Sequence, residues 1–300
     1  MAFRNIVIEN PARISVRNRQ LVIHTDMEYA VAIEDISALL LESRQSTITT
    51  AALSRLGQCG CAVFVCDEKH MPCAVLTAWQ QHSRELTVLR SQMEASEPLK
   101  KRLWQSIIKA KLSNQAACLR FAGKADQAKY LQSMANRVHS GDPENVEAAG
   151  AQYYFPILFG KDFTRGLDEN GYNAGLNYGY AILRGCIARF LAVYGFLPVF
   201  GLHHHSTFNA FNLADDLIEP FRPVIDLLVF QNLTEEDELT PPHKRLLFNC
   251  LNLDILSGGQ HHSVSYAIDR MVQSLIQSLG EGTPKLKLPE LLETEQHRYE

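Results

Sequence analysis

In the first quarter of the chain, apolar residues fall in short, partly alternating runs. NIVIE, RISVR, QLVIH and YAVAI are rich in β-branched side chains, and a two-residue period marks strands with one buried face. Asn10-Pro11 and the polar stretch from Arg17 to Gln20 supply turns between them. ALLLES and CAVFVC are apolar without alternation, and MPCAVL adds another candidate strand. Between the first two, TTAALSRLGQCG has the spacing of a short helix stopped by glycine. Together these runs predict a small antiparallel β-sandwich with one helix over residues 1–78.

From Trp79 the apolar period lengthens. LTVLRSQM predicts a linking helix within residues 79–95, and LKKRLWQSIIKAKLSNQAACLRF a long one with Pro98 in its first turn. HSGDPEN is a turn that launches a helix through ENVEAAGAQYYF. AGLNYGYAILRGCIARFLAVYG is a strongly apolar helix, expected at the centre of a larger all-α domain over residues 96–280. FLPVFGLHHHS reads as a loop. Asn212 is placed to cap the short helix after it, and Pro220 ends that helix or starts the next. PPHKRLLFNCLNL and HSVSYAIDRMVQSLIQSL predict two more helices, the second beginning with His262. Residues 281–300 are polar and punctuated by proline, as an exposed tail would be. The expected class is α+β: an N-terminal β-sandwich domain followed by an all-α domain.

Composition changes this picture in one respect. The 300 residues, 46% hydrophobic and 21% charged, suit a two-domain globular protein. Their net charge of −4 conceals a basic stretch: residues 82–137 hold eleven Lys or Arg against four acids, a local charge of +7. Such an excess is either a polyanion footprint or a solvated helix surface. The seven cysteines are odd in number and form no Cys-x-x-Cys pair, which suits reduced thiols. MAFRNIVIEN lacks the apolar core of a signal peptide. No apolar run approaches the ~20 residues of a membrane span. A cytoplasmic protein without a membrane partner is expected.

Candidate chemistry gathers in residues 201–226, GLHHHSTFNAFNLADDLIEPFRPVID. His205 lies in the loop. Asp216 and Glu219 stand three apart in a helical pattern and can share a face. Upstream, Glu147 heads a helical stripe continued by Ala151, Tyr154 and Leu158. A charge on an apolar stripe is costly unless it is paired or binds a metal, although a first-turn acid is also favoured by the helix dipole. Glu147, His205 and Glu219, with Asp216 beside them, make a candidate site for a hard divalent ion, Mg²⁺ or Mn²⁺. Arg222 is either a phosphate ligand or an ion-pair partner of Asp216 or Asp226.

GDPENVEAAGAQYYFPILFG, NAGLNYGYAILRG, the 201–226 segment and EDISALLLES…AVFVCDEKHMPCAVL resemble CRISPR-associated protein 1, most closely its type II subgroup. The resemblance spans nearly the whole chain. It implies a DNA integrase that inserts captured fragments into a CRISPR array, with Glu147, His205 and Glu219 as catalytic metal ligands and Asp216 close by. Many relatives outside the subgroup carry aspartate at the position of Glu219, so the choice of direct ligand between Asp216 and Glu219 stays open. It also implies binding of double-stranded DNA, homodimers, and assembly with CRISPR-associated protein 2. On this reading Lys100, Lys101, Arg102, Lys109 and Lys111 meet backbone phosphates, joined by Arg222. A metal-dependent DNA nuclease, or a non-catalytic DNA-binding subunit, would use much of the same sequence.

Overall fold

The computed structural model describes residues 4–76, 85–166, 170–295 and 297. The early apolar runs form strands β1 (Arg4–Ile8), β2 (Arg13–Arg17), β3 (Gln20–His24), β4 (Glu28–Ala32), β5 (Ile36–Leu41) and β6 (Thr47–Ile48). Helix α1 (Thr50–Gln58) follows, then β7 (Ala62–Cys66) and β8 (Pro72–Leu76). Thr49 caps α1 by accepting from the Ala52 amide at 3.2 Å. The strands make two four-stranded sheets, ordered β1-β5-β7-β8 and β4-β3-β2-β6.

The second sheet is mainly antiparallel, as the alternation predicts. The first is not: β1 pairs parallel with β5 and β5 parallel with β7, with α1 as the crossover. The cause lies in the non-alternating runs. Leu39 and Val63 face the sandwich interior with Ile14, Leu21 and Leu56. Ala38, Leu40 and Phe64 on the opposite face belong to the core of the helical half. Strands buried on both faces read as continuous apolar segments.

The helical half begins with α2 (Glu85–Met93), the described part of the linking helix expected over 79–95; residues 79–84 lie outside the described residues. Then come α3 (Glu97–Phe121), α4 (Ala125–Arg137), α5 (Val146–Phe159), α6 (Gly171–Val193), α7 (Asn212–Ile218), α8 (Arg222–Asn232) and α9 (Pro241–Phe248). With 25 residues, α3 is about 37 Å long and crosses the whole half. The apolar helix α6 is buried along most of its length, as expected at the centre.

This half is not purely helical. Strands β9 (Asp254–Ser257) and β10 (Gln260–Ser263) form a hairpin before α10 (Val264–Glu281), and β11 (Pro289–Glu290) pairs antiparallel with β9. Gly258 and Gly259 turn the hairpin at φ of 60° and 75°, the left-handed backbone that a tight two-residue turn demands. His261 and His262 therefore lie on a strand, not on a helix.

The C-terminal segment, expected to be an exposed tail, folds back on its own chain. Leu291 is buried. The Lys285 and Lys287 amides each donate at 2.9 Å, to the hydroxyls of Ser278 and Ser274. Asn114 of α3 ties this segment down: its carboxamide donates to Pro289 O at 3.0 Å and accepts from the Leu291 amide at 3.0 Å. All seven cysteines are free. Among the described residues no helix is long and apolar enough to cross a membrane.

Candidate active site

The turn before α5 sets the first acid. The Asp142 carboxylate accepts from the amides of Val146 and Glu147 at 2.9 and 3.0 Å, occupying donors that a helix start leaves free. Gly150, one turn on, lets α5 close onto α3, because a Cβ there would stand 2.3 Å from Leu112 Cδ2. That approach brings Glu147 against Lys111, and Glu147 Oε1 accepts from the Lys111 ammonium.

The second acid arrives from the far end of the half. Pro220 replaces the last turn of α7 by a 3₁₀ turn, Glu219–Phe221. The turn aims Glu219 at the same ammonium: Lys111 Nζ lies 2.5 Å from Glu219 Oε2. Arg222 Nε donates to Glu219 Oε1 at 2.9 Å while its guanidinium lies 4.5 Å from the centre of the Tyr180 ring. Burial works against ionising Glu219, but the Arg222 and Lys111 cations outweigh it and draw the carboxyl down to about 2. Burial likewise works against the Lys111 charge, and Glu219 and Glu147 reverse it, raising the ammonium above its ordinary value.

Asp216 does not share that spot. It is fully buried, and Oδ2 accepts from the amides of Leu202 at 2.5 Å and His203 at 3.1 Å. Oδ1 accepts from the His204 amide at 3.1 Å and meets His204 Nδ1 at 2.7 Å. Asp216 thus organises the histidine loop, and of the two acids Glu219 is the one turned toward Glu147. Gly201 is required here, since a Cβ would lie 2.3 Å from His204 O and 2.8 Å from Asp216 Oδ2. Asn212 does not cap α7. Its carboxamide donates to Val199 O and Ser206 O at 3.0 and 2.9 Å, pinning both ends of the loop. Asp215 points away from this cluster and pairs with Arg184 at 2.6 Å.

His203 stacks on Trp104 of α3, with centroids 4.2 Å apart and planes 2° apart. His204 is held above the ordinary histidine value by its hydrogen bond to Asp216, and His203 below it by burial. His205 follows on the same loop and is exposed. The structure therefore brings Glu147 and Glu219 together, and does not bring His205 in as a third close donor. Among the described residues no three His, Cys, Asp or Glu side chains converge tightly enough to hold an ion.

Lys101 and Arg102 are exposed on α3, Lys109 is half-buried, and Lys100 pairs with Glu97 at 3.1 Å. Lys111 and Arg222 are corrections to the expected set of phosphate contacts: both are engaged with Glu219, and Lys111 is buried. The readable signal was position. Lys111 continues the buried stripe of Trp104, Ile107 and Ile108, where a lysine needs an acid partner. The role of Asn114, which also donates to Pro220 O at 2.8 Å, left no such trace.

The donor set suits a hard divalent ion. Two carboxylates converge on one cationic point, Glu219 Oε2 is buried without an aligned hydrogen-bond donor, and Glu147, 30% exposed, opens the point to solution.

Fold and site thus define a class: an α+β protein with a sandwich, a helical half, and a paired-carboxylate centre between helices of that half. The family model described as CRISPR associated protein Cas1 matches residues 6–243. The CRISPR-associated endonuclease Cas1 of Neisseria meningitidis serogroup C (strain 8013) is 43% identical over 306 residues, covering all of both chains. The CRISPR-associated endonuclease Cas1 2 of Saccharolobus solfataricus is 26% identical over 300 residues, covering 95% of this chain and 94% of its own. The chain belongs to the Cas1 family. Solved structures share the fold. A casposase bound to integration product gives a TM-score of 0.76 at 20% identity, over 96% of this chain and 93% of its own. A CAS1 protein from Thermotoga maritima gives 0.74 at 15%, over 94% and 99%. A chain of a Cas6-RT-Cas1–Cas2 complex gives 0.70 at 16%, over 95% of this chain and 36% of its own.

Proposed function

We propose that this chain is a divalent-metal-dependent DNA integrase and endonuclease that joins captured DNA to a CRISPR array by 3′-hydroxyl attack on a phosphodiester. The observation that carries it is the convergence of Glu147 and Glu219, from distant segments, on one cation position beside the basic face of α3. The relative from Neisseria, named a CRISPR-associated endonuclease, supports the same reading.

Glu147 and Glu219 would hold the ion, and His205, which stands outside the pair, would join them only if its loop moved inward. An ion held there, Mg²⁺ or Mn²⁺, would supply Lewis-acid chemistry for the scissile phosphate and the attacking hydroxyl. The chain's own residues do the positioning. Arg222 fixes the rotamer of Glu219, Asp216 fixes the loop that carries His205, and Asp142 fixes the start of α5. Lys100, Lys101, Arg102 and Lys109 hold DNA backbone phosphates. The nucleophile belongs to the DNA, so no protein nucleophile is needed. Double-stranded DNA, a second copy of the chain and Cas2 are the partners. The last is supported by the structural neighbours that are Cas1–Cas2 complexes.

The test incubates a labelled fragment bearing a 3′-hydroxyl with a supercoiled, repeat-bearing plasmid. Joined product is expected, and E147Q should lower its rate at least about hundredfold. Cleavage without joining would favour a nuclease, and joining by E147Q at the unsubstituted rate would remove the assignment of the site.

A further inference from the structure

The Lys111 side chain is only 7% exposed, and its Nζ contacts Oε1 of Glu147 and Oε2 of Glu219. The stem leaves α3 on the stripe that carries the buried Ile107 and Ile108 one turn before and Asn114 and Gln115 one turn after, and Leu112 next to it is wedged against Gly150 of α5. An ammonium so placed persists only because it is paired. Its partners are the same two acids read above as ligands of a divalent ion. A metal bond and an ammonium hydrogen bond both approach along the carboxylate lone pairs, with metal–oxygen distances of about 2.0–2.1 Å for Mg²⁺. The ion and Nζ therefore exclude each other from the point where the carboxylates meet.

We propose that Lys111 is a built-in occupant of the metal position: its ammonium holds Glu147 and Glu219 together and exchanges with the incoming divalent ion. The proposal rests on the reading of the site as a metal centre and adds a competitor within the chain. It accounts for a lysine in the buried stripe of α3, where an apolar side chain would otherwise continue the core. It also accounts for two carboxylates being gathered without mutual repulsion. Exchange has a cost, because apparent metal affinity is reduced by the fraction of molecules in which the ammonium is seated. The way out for the displaced head group is past Glu147, the more exposed of the two acids.

The experiment measures Mn²⁺ binding to the full chain by titration calorimetry and by loss of the free-ion EPR signal. Melting without metal is recorded in parallel. Lys111→Met should melt lower without metal, because the acids lose their counter-ion. It should nevertheless bind Mn²⁺ roughly tenfold more tightly, because nothing has to be displaced. Lys111→Arg should bind roughly tenfold more weakly, since a guanidinium fork pairs with carboxylates at two points. The two variants then bracket the unsubstituted chain. If Lys111→Met does not fold, the comparison with Lys111→Arg decides the direction by itself. Equal affinities overturn the proposal and leave the metal centre standing, and so does weaker binding by Lys111→Met. Absence of Mn²⁺ binding to the unsubstituted chain, or binding untouched by E147Q, overturns the metal centre and this proposal with it.

Discussion

Behind the carboxylate pair, Asp226 of α8 is fully buried and accepts hydroxyl hydrogen bonds from Tyr154, at 3.0 Å, and from Tyr180. Burial pushes its carboxyl up to about 6, against the pull of the two hydroxyls and Arg222. The folded state therefore resists ionising this group while the unfolded chain does not. Its contribution to stability is intact below the unfolded value near 3.8 and declines as pH rises, levelling off above about 6. The loss amounts to about 3 kcal/mol by the linkage relation. Asp226→Asn should gain on the unsubstituted chain by about 2 kcal/mol between pH 4 and pH 6, read from urea unfolding at each pH. A difference that stays flat across this window would show that Asp226 ionises as freely in the fold as out of it. At this scale much of the site is legible in the sequence. Glu147 on an apolar stripe and Glu219 near a loop histidine are unusual enough to be singled out. The separate task of Asp216 is not, because helical spacing puts it on the face of Glu219 and only the 3₁₀ turn at Pro220 parts them. Lys111 was read with the basic surface because charge counts do not see burial.

Among the elements, β11 ties the C-terminus to the site's own scaffold through Asn114, whose carboxamide also reaches Pro220 next to Glu219. Removing residues 284–300 would expose the edge of β9, take the buried Leu291 out of the core and strip Asn114 of two partners. The loss should be at least about 3 kcal/mol in urea unfolding, the contribution of the leucine side chain and the two Asn114 hydrogen bonds alone. An unchanged unfolding midpoint would mean that the strand is not held. The long helices and the early strands follow from periodicity and were readable. The β9–β10 hairpin was missed although SGG sits between apolar and polar alternation, because the strong helical period of α10 directly after it draws the pattern backwards. The parallel pairing of β1, β5 and β7 is only half legible: continuous apolar runs mark strands buried on both faces, but the pairing partners are distant in sequence and no local pattern names them.

Across the whole molecule, charge is segregated. The exposed Lys101 and Arg102, with Lys100, lie near the start of α3, two turns and more before Lys111. Replacing all three by glutamate should weaken DNA binding at low salt. The slope of log affinity against log salt should flatten by up to about 3, near one unit for each lost phosphate contact. An unchanged slope would move the DNA path to another face. The two halves also share a wall. Phe64 of β7 fits where Gly185 of α6 has no side chain, a Cβ there falling 2.2 Å from its ring. Glu42 beyond β5 and Lys244 of α9 form a buried ion pair at 2.7 Å across the same seam. A sandwich joined this way cannot pivot on its neighbour. Whatever grips the sheet of β4, β3, β2 and β6 thereby sets where the acids stand, so in any assembly built through that sheet the reach from one centre to the next would be fixed by the fold itself.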